Sequence, residues 1–178
     1  MIGRLLGFAA AVLMGTAATI AAQDASSLRA TLKNTEGKEV GTARITETPH
    51  GIWLTLSLPA NPPGIPPGVR ALHIHEVGRC EPPFKSAGGH YNPLGKKHGF
   101  LDKAGSHAGD LPNLHVPENK PMTVEYFIPQ LTIDRGKARL LDDDGSALVI
   151  HAKADDYKSD PAGDAGDRIA CGIIERSK

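Results

Sequence analysis

The stretch Ile52-Trp53-Leu54-Thr55-Leu56-Ser57-Leu58 sets four aliphatic residues against Trp53, Thr55 and Ser57. A period of two puts Ile52, Leu54, Leu56 and Leu58 on one side of an extended chain, so the segment predicts a strand with one buried face. Working outward, similar patterns predict strands at residues 28–33, 39–46, 69–75, 122–128, 131–134, 138–141, 148–152 and 169–174. Short turn sequences such as Thr35-Glu36-Gly37-Lys38, Arg135-Gly136-Lys137 and Asp142-Asp143-Asp144-Gly145 separate several of them, as hairpins require. Helical periodicity is hard to find, and the 20 Gly and 14 Pro leave little room for long helices. The expectation is an all-β, antiparallel sandwich or barrel.

The first 22 residues read differently. They contain no Asp or Glu, carry Arg4 near the start, run through Leu5, Leu6, Phe8, Val12, Leu13 and Met14, and end on Ala21-Ala22. That order of charge, apolar run and small residues predicts a signal peptide at 1–22, too short to span a bilayer, and a single mature domain at 23–178. Without the leader the chain holds 19 Lys and Arg against 20 Asp and Glu. So balanced a charge gives no electrostatic footprint for nucleic acid, and no polybasic segment attaches the mature chain to a membrane. Both cysteines, Cys80 and Cys171, lie in the exported part, where an oxidising compartment allows them to pair. Such a bridge would close a loop of about 91 residues and contribute roughly 4–5 kcal/mol in the chain-entropy picture.

Three segments resist a strand reading. Asn61-Pro62-Pro63-Gly64-Ile65-Pro66-Pro67-Gly68 cannot pair in a sheet and is expected to cross one end of the barrel. Residues 76–120 show no convincing strand, and residues 155–167 are rich in Asp and Gly. A loop of that length needs something specific to hold it. The histidines suggest what. His73 and His75 are two apart on a predicted strand, so both imidazoles point to one side while Leu72 and Ile74 point to the other. His90, His98, His107 and Asp110 follow in the long loop, and His151 ends another strand. Imidazoles with one carboxylate and no thiolate suit zinc and copper rather than calcium or magnesium. Two four-coordinate sites need one more ligand than these residues provide, so one imidazole would bind both metals; counting leaves open which. His50, in a turn, and His115, in the loop, are expected to be ordinary surface residues, as are Asp102 and Glu118.

Taken together, Leu72-His73-Ile74-His75-Glu76, Ala87-Gly88-Gly89-His90-Tyr91-Asn92-Pro93, His98-Gly99, His107-Ala108-Gly109-Asp110-Leu111, Val149-Ile150-His151-Ala152 and Gly166-Asp167-Arg168-Ile169-Ala170-Cys171-Gly172 resemble the copper/zinc superoxide dismutase family in its exported bacterial form. The resemblance runs over essentially the whole mature chain. It implies an eight-stranded antiparallel Greek-key β-barrel or sandwich with long metal-binding and electrostatic loops. It also implies copper on His73, His75, His90 and His151, and zinc on His90, His98, His107 and Asp110, with His90 as the bridge. Asp155 matches the carboxylate that links a copper-bound to a zinc-bound His, Arg168 the arginine beside copper, and Cys80 with Cys171 the family disulfide. The implied reaction is disproportionation of superoxide to dioxygen and hydrogen peroxide, in the periplasm, by a monomer or a homodimer. The segment before Arg168 departs from the family, with Asp164 where Asn is frequent and Ala162 where Thr is frequent; the added negative charge would weaken steering of an anion unless Lys153 or Lys158 compensates. The competing expectation is an exported copper/zinc carrier without catalysis, for which Asp155 and Arg168 would have no purpose.

Overall fold

The alternating segments form strands. The computed structural model describes residues 27–177, and the expected signal peptide with its boundary lies outside the described residues. In chain order the elements are β1 (Ser27–Asn34), β2 (Glu39–Thr48), β3 (Gly51–Leu58), β4 (Gly68–Arg70), β5 (Leu72–His75), a single 3-10 turn at Lys85–Ala87, β6 (Leu114–Val116), β7 (Met122–Ile128), β8 (Ser146–His151) and β9 (Arg168–Arg176). Seven strands form one curled sheet in the order β5-β8-β9-β1-β2-β3-β7, and β4 pairs with β6 in a separate ribbon. All pairs are antiparallel. No helix among the described residues is long and apolar enough to cross a membrane.

The β1–β2–β3 meander follows from hairpin chemistry. Asn34 is buried and its Oδ1 accepts from the backbone N–H of Glu36 (3.0 Å) and Lys38 (2.9 Å), which closes the first turn. After β3 the chain crosses to the opposite edge to form β5 and returns to lay β7 beside β3; β8 and β9 then fill the space between β5 and β1. Leu28, Leu32, Ile45, Leu54, Leu56, Ile74 and Leu148 meet in the main core.

Strands are partitioned differently from the sequence expectation. The architecture is all-β and antiparallel as expected, with seven strands in one curled sheet and β4 with β6 in a ribbon. The expected strand at 69–75 is broken at Ala71, whose N–H donates to Lys153 O (2.7 Å) and whose carbonyl accepts from His151 N (2.9 Å). Segments 131–134 and 138–141 form no regular strand pair: one parallel bridge, Thr132 with Arg139, and three backbone bonds, Thr132 N to Ala138 O, Leu140 N to Thr132 O and Leu141 N to Ile133 O, join them, while Leu131, Ile133 and Leu140 are fully buried in the core. The Leu114-His115-Val116 alternation does form a strand; three residues give too little pattern to read in advance.

β8 is buried on both faces. Leu148 and Ile150 enter the main core, while Ala147 and Val149 pack on the reverse side against Phe84, Ala87 and Cys171. Cys80 and Cys171 form the expected disulfide, with Cα atoms 5.6 Å apart, which fastens the loop carrying Phe84 onto that reverse face. A sheet strand covered on both sides is what allows the site below to be buried although it stands on the outside of the barrel.

Candidate metal centre

β5 does two jobs because of its alternation. Leu72 and Ile74 face the core, so His73 and His75 must face the reverse side, where both are fully buried. β5 is also an edge strand, and its free backbone groups recruit the long loop: Ile74 N donates to Gly109 O (2.9 Å), Tyr91 N to Ile74 O (2.8 Å) and Glu76 N to Gly89 O (3.0 Å). These bonds carry His90, His107 and Asp110 alongside the two strand histidines. The close approach needs Gly109, where an added Cβ would stand 2.3 Å from Ile74 O. His151 arrives from β8, on the same face as Val149, which is paired with His73.

Arg168 reaches this face through a slip in register. Ile150 pairs with Ala170 but His151 pairs with Arg168, so Ile169 is the extra residue of a bulge. Simple alternation would put Arg168 on the core side with Ala170; the bulge turns it to the side of His151 instead. Its Nη1 donates to Phe84 O and its Nη2 to Gly88 O, both at 2.6 Å, so the disulfide-bound loop clamps the guanidinium. Arg168 lines a cavity of about 670 Å³ together with Lys85 and Asp167.

Among the described residues, three groups of side chains could hold a metal ion: His73, His75, His90 and His151; His90, His98, His107 and Asp110; and His73, His98 and Asp155. In the first, each ring has one nitrogen committed elsewhere. His73 Nε2 donates to Asp155 Oδ2 (2.7 Å), His75 Nδ1 to Gly88 O (3.1 Å) and His151 Nδ1 to Gly166 O (3.3 Å), while His90 Nδ1 faces Asp110 Oδ1 (2.9 Å). The nitrogens left over are lone pairs. His75 Nε2 and His151 Nε2 stand 3.3 Å apart, and His73 Nδ1 and His90 Nε2 are buried without any partner. Buried acceptors that face one another without a donor are costly unless a cation lies between them.

The second group surrounds one carboxylate oxygen. Asp110 Oδ2 accepts from Gly99 N (2.9 Å) and His107 N (3.0 Å), which turns Oδ1 toward the Nδ1 atoms of His90, His98 and His107 at 2.9, 3.1 and 3.2 Å. His107 Nδ1 makes no hydrogen bond in that position. Ligand atoms about 2.0 Å from a tetrahedral zinc are about 3.3 Å from each other, so this spacing suits such an ion. Asp155 joins the two groups, since its Oδ1 accepts from His98 Nε2 (3.0 Å) while Oδ2 holds His73.

Protonation follows the same division. Burial pushes His90 down to about 4 against the opposing hydrogen bond to Asp110, and burial with the neighbouring His73 pushes His151 down to about 3. Burial likewise lowers His73, and it lowers His75 further, helped by His90 and the Arg168 charge. His98 is the exception: burial pulls it down, but hydrogen bonds to Asp110 and Asp155 prevail and lift it to about 9. Burial opposes ionisation of Asp110 and Asp155, yet His90 and His98 for the first, and His73 and His98 for the second, hold both carboxyls well below the usual range. Apart from His98, which a bound cation would have to deprotonate, these imidazoles are neutral beside ionised carboxylates, a donor set for a divalent cation of borderline softness.

His50 and His115 are exposed and belong to neither group. Sequence reasoning missed the residues that brace the two loops. Asn113 bonds both backbone groups of Asp155, and Asp160 accepts from His98 N (3.0 Å) and Lys97 Nζ (2.9 Å). Nothing in their spacing distinguished them from solvated polar residues.

Known proteins share this arrangement of sheet and loops. The family model described as copper/zinc superoxide dismutase (SODC) matches residues 39–174. The chain is 48% identical over 168 residues to the copper/zinc superoxide dismutase 2 of Aquifex aeolicus, spanning 92% of this chain and 96% of that protein. With the copper/zinc superoxide dismutase of Caulobacter vibrioides it shares 41% identity over 153 residues, or 84% of this chain and 86% of the relative. A solved SOD-like protein from Bacillus subtilis superposes with a TM-score of 0.75 at 41% identity, covering 83% of this chain and 97% of the other. For the Cu/Zn superoxide dismutase of Brucella abortus the TM-score is 0.65 at 29% identity, covering 84% and 99%. A family match across 39–174, with relatives this similar over nearly their whole length, gives one assignment: the chain belongs to the copper/zinc superoxide dismutase family.

Proposed function

We propose that this chain is an exported superoxide dismutase, in which His73, His75, His90 and His151 hold copper and His90, His98, His107 and Asp110 hold zinc. The observation that carries the reading is the pair of buried ligand sets meeting at His90, with Nδ1 turned to Asp110 and Nε2 unpartnered. Bound there, copper would supply a one-electron couple between Cu(II) and Cu(I), and zinc, which has no redox change, would supply fixed charge. The net reaction takes two superoxide ions and two protons to one dioxygen and one hydrogen peroxide.

The residues of the chain position the anion and the protons. Arg168 is half-buried, and after its two carbonyl bonds it retains N–H donors for a small anion. Its charge lowers both His75 and His151, which supports a role for the guanidinium beside those rings. His90 can hold a proton at Nε2 while Nδ1 stays directed at the Asp110 set, so a proton donor stands where the reduced product would leave. Asp155 keeps Nε2–H on His73 and His98 and fixes both rings. The 1–22 leader, read as a signal peptide, would deliver the mature domain to the periplasm, where the Cys80–Cys171 bridge is favoured.

Copper and zinc stoichiometry of the purified mature chain, with superoxide consumption measured before and after treatment with a copper chelator, tests the assignment. Activity that disappears with copper is the expected outcome. A copper-loaded protein without activity would favour the carrier reading instead.

A further inference from the structure

Asp155 is braced more heavily than linking two histidines requires. Besides His73 and His98, its carboxylate accepts from Tyr157 N at 2.6 Å. Its backbone is gripped at both ends by one side chain, with Asp155 N donating to Asn113 Oδ1 (2.8 Å) and Asn113 Nδ2 donating to Asp155 O (2.9 Å). The ring of bonds then closes on itself, because Asn113 N donates to Tyr157 Oη at 2.6 Å. Tyr157 also ties in the other loop: its carbonyl accepts from Leu101 N (3.0 Å), and its ring lies 5.4 Å from that of Phe100. Neither Asn113 nor Tyr157 belongs to a ligand group.

We propose that Asn113 and Tyr157 are positioning residues that lock Asp155 in place, and thereby set how firmly the His98–His107–Asp110 side of the centre retains zinc. The inference rests on the metal assignment proposed above. Residues 155–167 have no regular secondary structure, so without a brace the carboxylate of Asp155 would sample several orientations. Each departure would release Nε2–H of His73 and His98 together and let both rings turn their ligating nitrogens away. Asn113 prevents this by acting on the backbone, and Tyr157 by accepting from Asn113 N at its hydroxyl and donating its own backbone N–H to Oδ1. The brace also couples the two loops, since residues 101, 113 and 155 meet at one tyrosine.

The test loads the wild type, Asn113→Ala and Tyr157→Phe with copper and zinc, and follows transfer of zinc to a chromophoric chelator well below the melting temperature. A second preparation carries cobalt(II) in place of zinc, so that its visible bands report the ligand geometry. Weakening the residues behind a metal ligand typically costs at least about tenfold in metal affinity, so zinc release from Asn113→Ala is expected to be about tenfold faster, with displaced cobalt bands. Tyr157→Phe deletes only one hydroxyl and is expected to speed release severalfold. Should Asn113→Ala fail to fold, Tyr157→Phe carries the test alone. Unchanged release and unchanged cobalt bands, even with a lowered melting temperature, would overturn the proposal and leave the metal assignment standing. A wild type that retained neither metal would overturn both.

Discussion

Breaking the Cys80–Cys171 bridge should cost this protein stability and the set of Arg168 at once. The two residues are 91 apart in sequence. Chain entropy gives about −2.1 − 1.5R ln 91, or about −15.5 cal/mol/K, for closing such a loop, which is about 4.6 kcal/mol at 25 °C. For a chain of this size about 1 kcal/mol corresponds to about 2–4 °C, so Cys80→Ser with Cys171→Ser should lower the melting temperature by roughly 9–18 °C. Metal release would add to unfolding of the loaded protein, so the comparison belongs to metal-stripped samples scanned in the same chelator. The loaded variant supplies the second reading. Phe84 O and Gly88 O, which clamp Arg168, lie on the loop that the bridge fastens to β9, so superoxide consumption should fall with copper content unchanged. A melting temperature lowered by less than about 4 °C would refute the stability argument. Full activity in a stable, bridge-free variant would show that the clamp holds without the covalent link.

Other outcomes follow from the same geometry. Arg168→Ala should reduce superoxide consumption by about tenfold or more while both metals remain bound, as judged by metal analysis of the assayed sample; unchanged activity would remove the residue from the site. Gly163→Ala would bring a Cβ to 1.9 Å from Asp155 Oδ1 and 2.6 Å from His98 Nε2 at φ +65°, so it should weaken zinc retention, measurable as faster loss to a chelator. In metal-stripped protein His90 and His151 are depressed from 6.5 to about 4 and about 3. The unfolded chain therefore binds more protons, and the stability they contribute is present above pH 6.5 and lost as pH falls toward 4. His98, raised to about 9, works in the opposite sense: its contribution is complete below pH 6.5 and lost as pH rises through 9. Denaturant titrations of the stripped protein should thus show stability falling on both sides of neutrality; a flat profile from pH 6.5 down to 4.5 would contradict the assignment.

The sequence made the histidines legible and left their supports hidden. Alternation in Leu72-His73-Ile74-His75 was enough to separate a core face from a site face, because side-chain direction in a strand depends only on parity. Parity failed at Arg168, where the bulge at Ile169 changes the phase; no local residue pattern announces it, since it depends on the pairing of β8 with β9. The loop at 76–120 looked as if metal alone could hold it, yet part of its order comes from the free edge of β5, a fact of sheet topology. Segments 131–134 and 138–141 kept their buried leucines but pair only through one parallel bridge and three backbone bonds, because burial needs only an apolar neighbour whereas a strand needs a run of partners in register. Asn113 and Tyr157 were unreadable for a related reason: each acts across a gap of more than 40 residues.

The edge of β5 has a consequence for how the chain meets other chains. Open sheet edges invite other chains to pair with them. Here residues 89–91 and 109 occupy that edge, and they are held there by the same loop that brings His90, His107 and Asp110 to the centre. Ligand binding and edge protection are therefore one structural act, and a molecule whose loop came loose would bare Ile74 and Glu76 N–H groups along with the histidines. The loop therefore shields the β5 edge for as long as it stays docked there.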